Sequence, residues 1–132
     1  MNARKGLENW HRIFSKGTPV EGLRAMVRED AVFHSPVVHT PQEGQEIVVA
    51  YLLAARQILG NGSFRYVREL VDGENAMLEF ETEMDGVHVN GIDLIRFDED
   101  GMIAEFKVMI RPLKAVTKVW EMMATQLKAN GG

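Results

Sequence analysis

Residues 88–97 read HVNGIDLIRF, and the fold turns on whether they form a β-strand. Side chains alternate between the two faces of a strand, so one starting at Val87 sends Val87, Val89, Gly91, Asp93, Ile95 and Phe97 to one side. Asp93 then stands in the middle of an apolar row. An ionised carboxylate is costly to bury unless it is paired, hydrogen-bonded or neutralised by a raised pKa. The strand reading therefore requires either a partner for Asp93 or a cavity beside it.

The flanking turn signals support the strand. From Phe64 onward, Asp72-Gly73, Asp85-Gly86 and Asp98-Glu99-Asp100-Gly101 divide the chain into four segments of period two, an antiparallel meander. A two-residue turn at Asp85-Gly86 pairs Met84 with Val87, Thr82 with Val89, Phe80 with Gly91 and Leu78 with Asp93. A loop over 98–101 pairs Phe97 with Met102, Ile95 with Ala104, Asp93 with Phe106 and Gly91 with Val108. Both registers place Asp93 with Leu78, Phe80, Ile95, Phe97, Phe106 and Val108, opposite a face carrying Glu79, Glu81, Glu83, Arg96, Glu105 and Lys107. A slip of one residue at either turn would break that agreement. In the first hairpin a three-residue connection puts Phe64, Tyr66, Arg68 and Leu70 inside, with Arg68 beside Leu78 and Asp93, whereas a two-residue turn swaps the face. Met77, Ile92, Leu94, Ile103 and Met109 interleave with the outer charges, and a face so mixed predicts a homodimer through the outer side of the sheet.

Upstream the period becomes helical. Leu7, Trp10, His11 and Phe14 fall at i, i+3, i+4 and i+7, the stripe of a helix ending near Gly17. Thr18-Pro19-Val20-Glu21 reads as a capping box opening a short second helix to about Arg28. Thr40-Pro41-Gln42-Glu43 repeats that device before a long helix through Ile47, Val48, Tyr51, Leu52, Ala55 and Leu59 to Gly60, apolar on more than one side. Between them AVFHSPVVH, residues 31–39, suits a short edge strand broken by Pro36. Pro112 opens a last helix with Leu113, Val116, Trp120, Met123 and Leu127 on one stripe, and 129–132 reads as a frayed tail.

A chain of 132 residues, 45% apolar and 26% charged, fits one globular domain spanning 1–132. With 15 basic and 19 acidic residues the net charge is −4, which lacks the basic excess that nucleic-acid backbones require. The absence of cysteine excludes disulfides, thiolate metal sites and cysteine nucleophiles, and fits a reducing cytoplasm. MNARKGLENWHRIF is too polar for a signal peptide, and no run approaches the roughly 18 apolar residues of a membrane span. A cytoplasmic protein without a membrane segment is expected. Asn61-Gly62-Ser63 reads as a turn.

Few ionisable groups fall on the inner face. Asp93 is either a buried carboxylate satisfied by Arg68, Tyr66 or a backbone amide, or a pocket group. His11, on the apolar stripe of the first helix, is a core residue or a donor reaching into the same pocket. His34, Ser35 and His39 cluster near Pro36 on a bent segment that fixes no shared face, so no metal is expected. Ser35, a histidine and Asp93 imitate a triad without the glycines of a nucleophile elbow. His88 lies opposite Glu83, and the row Glu79, Glu81 and Glu83 is balanced by Arg96 and Lys107. No glycine-rich phosphate loop occurs, and no cofactor is expected. The phenylalanines, Trp10, Trp120 and the methionines read mainly as core. Trp10, Phe14, Phe33, Ser35, Tyr51, Tyr66, Arg68, Leu78, Phe80, Val89, Ile95, Phe106 and Val108 are the expected lining of a pocket for a small hydrophobic ligand.

Helices, then a long meander, then a closing helix, together with GLRAMVREDAVFHSPV at 22–37 and GIDLIRFDEDGMIAEFKVM at 91–109, resemble the nuclear transport factor 2-like superfamily. Within it the chain resembles the branch of SnoaL-like polyketide cyclases and ketosteroid isomerases. The resemblance implies an α+β fold, a cone-shaped barrel of curved, mainly antiparallel sheet wrapped around N-terminal helices. It also implies a cofactor-free isomerase, cyclase or hydrolase acting on a small hydrophobic compound, or a non-catalytic binding or structural module of the same fold. The isomerase's general base precedes the proline of the first strand, where this chain has Ser35; its oxyanion-donating aspartic acid, kept neutral by an apolar site, matches Asp93; and its helix-one tyrosine falls by ungapped counting at His11. Serine cannot abstract a carbon-bound proton unaided, so steroid isomerisation itself is not expected, and Asp93 and His11 are left as the catalytic candidates.

Overall fold

In the computed structural model, which describes residues 2–15 and 20–131, the meander forms the body of the molecule. The order is α1 (Asn2–Ser15), α2 (Val20–Ala25), β1 (Val27–His34), β2 (Gln42–Glu43), α3 (Gln45–Leu59), β3 (Arg65–Asp72), β4 (Asn75–Met84), β5 (Val87–Phe97), β6 (Ile103–Arg111) and α4 (Leu113–Ala129). The strands lie in the order β2-β1-β6-β5-β4-β3, antiparallel except for the parallel β1–β6 pair. This is the expected curved sheet with a closing helix, but it stays open, with β2 and β3 as its edges.

β4 and β5 pair as the turn at Asp85-Gly86 dictates, from Met84 opposite Val87 to Leu78 opposite Asp93. Asp85 and Gly86 both take positive φ, 50° and 79°, the backbone that hairpin turns of this type demand. The β5–β6 register differs by two residues from the one expected: Asp93 faces Val108 and Ile95 faces Phe106, because the connection is one residue longer, pairing Phe97 with Ile103, and a further residue, Ala104, bulges between that pair and Arg96–Glu105. A shift of two preserves the face, so Asp93 still points inward; the longer connection turns Ile103 into the core, opposite Phe97 and fully buried instead of outward. Gly91 is required by its cross-strand neighbour. A Cβ there would lie 2.5 Å from the Phe80 ring and 2.9 Å from the Met109 carbonyl, so its absence lets Phe80 lie across β5.

The first hairpin corrects the placement of Arg68. Its turn has two residues, with Asp72 opposite Asn75, which turns Arg68 outward opposite Glu79 and brings Glu69 opposite Leu78. Val67 then bulges, the register recovers, and Tyr66 faces Phe80 on the inner side.

Three further expectations are revised. Thr40-Pro41-Gln42-Glu43 is no capping box: Gln42 and Glu43 pair with Phe33 and Val32, and α3 starts after Gly44, whose φ of +111° suits glycine and whose N–H donates to the Ala31 carbonyl at 2.8 Å. β1 runs from Val27, absorbing the end assigned to the second helix, and lies inside the sheet between β2 and β6. Trp120 and Leu113 on α4 are exposed, at 61% and 80%, while Ala115, Val119 and Met123 face the core. α4 continues through Ala129, and the Asn130 side chain donates to Gln57 Oε1 at 2.8 Å. The capping box at Thr18-Pro19 and the side chain of Phe14 lie outside the described residues.

Two apolar clusters fill the concave side. One packs α1, α2 and the first half of α3 on Phe33, Leu78, Ile95, Phe97 and Phe106; the other packs the end of α3 and α4 on Phe80, Met84 and Val89. Tyr51, Tyr66 and Ile110 touch both.

Candidate active site

A cavity of about 430 Å³ opens on the concave side. Trp10 and His11 of α1 line it, with Leu52, Ala55, Arg56 and Leu59 of α3, then Gly60, Phe64, Arg65 and Tyr66 leading into β3, and Phe80, Asp93, Phe106 and Val108 of the central strands. Such a volume accommodates a small organic molecule.

Only Thr82 and Asp93 are buried polar or charged side chains among the described residues. Their situations are opposite. Thr82 Oγ1 lies 3.1 Å from Asn61 Oδ1 and 3.0 Å from Ser63 Oγ, a turn-end network that also holds the Asn61-Gly62-Ser63 bend. No described hydrogen bond or ion pair engages the Asp93 carboxyl, which is 8% exposed and borders the cavity. Burial alone pushes its pKa up to about 8, so it is mostly protonated at pH 7 and available to donate a hydrogen bond.

A second donor stands nearby. The Tyr66 hydroxyl accepts a hydrogen bond from Trp10 Nε1 at 3.0 Å, so its own proton can be donated elsewhere. Burial first, then the Asp93 charge, raises the Tyr66 phenol above its ordinary value, while the Trp10 bond and Arg56 oppose the rise. Phe64 fixes the ring by an edge contact with centroids 5.1 Å apart and stacks on Phe80 at 5.3 Å. His11 sits at the rim, its Nε2 2.9 Å from Glu69 Oε1 and its ring edge-on to Tyr66. The outward turn of Arg68 is what brings Glu69 within reach of α1.

Of the residues assigned from sequence, Trp10, His11, Tyr66, Phe80, Asp93, Phe106 and Val108 line this cavity. Others do not. Phe33 and Tyr51 stack on one another behind Phe106, Leu78 and Ile95 are sealed in the core, and Val89 packs in the cluster that holds α4. Arg68 is on the outer face, 3.4 Å from Glu79, so it cannot satisfy Asp93. Ser35 caps its own turn, accepting from the Val37 N–H at 3.1 Å, and His34 meets Glu105 at 2.7 Å, so neither supplies a base inside. Leu52, Ala55, Arg56, Leu59, Gly60, Phe64 and Arg65 were absent from the expected lining; the inner parity of Phe64 was the one signal available for any of them. Among the described residues, no group of three His, Asp or Glu side chains could hold a metal ion, and no helix is long and apolar enough to cross a membrane.

An open, curved, mainly antiparallel sheet with helices on its concave side and a closing C-terminal helix defines the nuclear transport factor 2-like fold. The chain belongs within it to the SnoaL-like domain family, whose sequence profile matches residues 7–106. A steroid delta-isomerase from Pseudomonas aeruginosa is 34% identical, with a TM-score of 0.90 over 98% of this chain and 93% of that one. An uncharacterised bacterial protein with a cystatin-like fold from Silicibacter pomeroyi is 30% identical, with a TM-score of 0.75 over 81% and 74%. A putative SnoaL-like polyketide cyclase from Jannaschia, 16% identical with a TM-score of 0.68 over 87% and 91%, shares the fold. No curated protein sequence matches the chain.

Proposed function

We propose that the protein is a cofactor-free isomerase or cyclase that moves a proton on a small hydrophobic carbonyl compound held in the cavity. One observation carries this reading: the buried Asp93 carboxyl, which no hydrogen bond or ion pair engages among the described residues, faces an apolar space large enough for a ligand. In this scheme a carbonyl oxygen bound beside Asp93 and Tyr66 receives hydrogen bonds from both, which stabilise the oxyanion formed when the neighbouring carbon loses a proton. His11 takes that proton: if Nε2–H is donated to Glu69, Nδ1 carries the lone pair.

The test is deuterium exchange. A panel of apolar β,γ-unsaturated ketones is incubated with the protein in deuterated water, and label at the carbon next to the carbonyl is followed by mass spectrometry. Asp93→Leu should lower exchange by at least a hundredfold; exchange equal to that of the unaltered protein would sink the assignment. A second reading is favoured by Asp93 being the sole carboxylate in the described lining: the cavity binds such a compound without converting it. In that case ligand is retained and no label appears in any variant. We also propose a homodimer through the outer face, where Met77, Ile92, Leu94 and Met109 stand among the charges.

A further inference from the structure

Among the described residues three histidines meet a glutamate: His34 and Glu105 at 2.7 Å, His88 and Glu83 at 3.5 Å, and His11 and Glu69 at 2.9 Å. The first two pairs lie on the outer side of the sheet. Of the three histidines only His11 borders the cavity, and it meets its partner across an irregular stretch of the edge strand. Tyr66 and Glu69 are three residues apart and would leave a regular strand on opposite faces. With Val67 bulged between them, Tyr66 lies opposite Phe80 and Glu69 opposite Leu78, both on the helix side. There the consecutive residues Trp10 and His11 of α1 meet them, Trp10 Nε1 donating to the Tyr66 hydroxyl at 3.0 Å and His11 Nε2 lying 2.9 Å from Glu69 Oε1. The His11 ring also stands edge-on to Tyr66, with centroids 5.5 Å apart.

We propose that Glu69 is a positioning residue for the proton transfer: its carboxylate accepts the Nε2–H of His11, selects that tautomer, and so keeps the basic lone pair on Nδ1. This rests on His11 being the base of the reaction proposed above. In the step, the carbon–hydrogen bond next to the substrate carbonyl breaks, its electron pair moves into the enolate held by Asp93 and Tyr66, and the proton goes to His11 Nδ1. The imidazolium so formed carries its other proton on Nε2, against the Glu69 carboxylate, which stabilises the new charge. Folding gains little from the contact, because the two side chains are 40% and 45% exposed and pairs of that kind are well solvated. Its effect therefore falls on the orientation of the ring.

Chemical shifts of the ring nitrogens read the tautomer, and exchange kinetics read the reaction. At about pH 9, where imidazole is neutral, His11 should be the Nε2–H tautomer in the unaltered protein and a mixture of tautomers in Glu69→Gln. With the β,γ-unsaturated ketones in deuterated water, Glu69→Gln should lower kcat at least about tenfold with KM within about twofold, and Glu69→Asp should recover most of the loss. The thermal midpoint should move by less than about 2 °C in either variant. Unchanged kcat in Glu69→Gln, or a tautomer that ignores the substitution, overturns the proposal; the reading of the cavity stands if His11→Gln and Asp93→Leu still abolish exchange. A large fall in the midpoint, with kcat and KM changed together, marks a structural contact and overturns it too. Exchange at full rate in His11→Gln, or no exchange in the unaltered protein, overturns both.

Discussion

The two faces of β4, β5 and β6 are built from alternate residues of the same three segments, and each carries what the other would be expected to hold. The inner face is apolar with one carboxyl group, Asp93. The outer face is charged with apolar side chains set among the acids and bases, Ile92 and Leu94 flanking Asp93 itself. Among the described residues no hydrogen bond or ion pair engages the inner exception, which supports the proposed site for a small molecule. The outer exceptions are half-buried or exposed and adjoin one another across strands, which supports the proposed dimer. One residue of register separates the two roles.

The largest effect should come from the inner exception. Unfolded, Asp93 titrates near 3.8; folded, near 8. Between those values the folded state holds a proton that the unfolded state has lost, so stability falls as pH rises, by about 1.4 kcal/mol per pH unit, and the loss is complete above about pH 8. Urea unfolding from pH 4 to 9 should show this slope in the unaltered protein and not in Asp93→Asn; parallel curves would mean that Asp93 is solvated or paired.

Next comes a matched truncation on the two faces. Ile95→Ala, fully buried inside, should cost about 3 kcal/mol, whereas Ile92→Ala, three residues earlier on the outside, should cost under about 1 kcal/mol at protein concentrations low enough to keep the chain monomeric. Equal losses would erase the distinction between the faces. The proposed dimer supplies the third measurement. Leu94→Glu should halve the mass seen by light scattering while leaving the thermal midpoint of the monomer nearly unchanged, and a mass that stays at two chains would direct attention to Trp120 and Leu113 on α4 instead. The smallest effect belongs to the exposed Arg65–Glu81 pair on the outer face, for which a double-mutant cycle should give less than about 1 kcal/mol.

The same contrast explains what could be read from the chain itself. The β4–β5 register was legible because Asp85-Gly86 is local chemistry: two residues suited to positive φ fix every pair that follows. The inward direction of Asp93 survived a wrong β5–β6 register because the longer connection and the Ala104 bulge each shift the pairs by one, and the two together keep parity. Arg68 was misplaced because the turn has two residues where three were taken, and Tyr66 was still placed correctly because the Val67 bulge, which no turn motif announces, shifts the register back. The α3 contribution was hidden for another reason. A helix apolar on several sides gives no period by which to choose the side that lines a cavity, so Leu52, Ala55, Arg56 and Leu59 could not be singled out. On α4 the bulky stripe through Trp120 outranked the small one through Ala115 and Val119. Close packing against α3 and the sheet favours the small side chains, a preference that hydrophobicity alone does not encode.

The bulge at Val67 has one more consequence. It divides β3 into two reading frames: beyond it the strand shows Glu69 and Val71 to the helices, before it Tyr66 and Phe64 to the cavity. Deleting that one residue would join Tyr66 directly to Arg68, with Tyr66 still opposite Phe80, Arg68 still opposite Glu79 and Arg65 still opposite Glu81. The edge strand would lose its bend and keep both faces, so the extra residue shapes the rim of the cavity without choosing the side chains that line it.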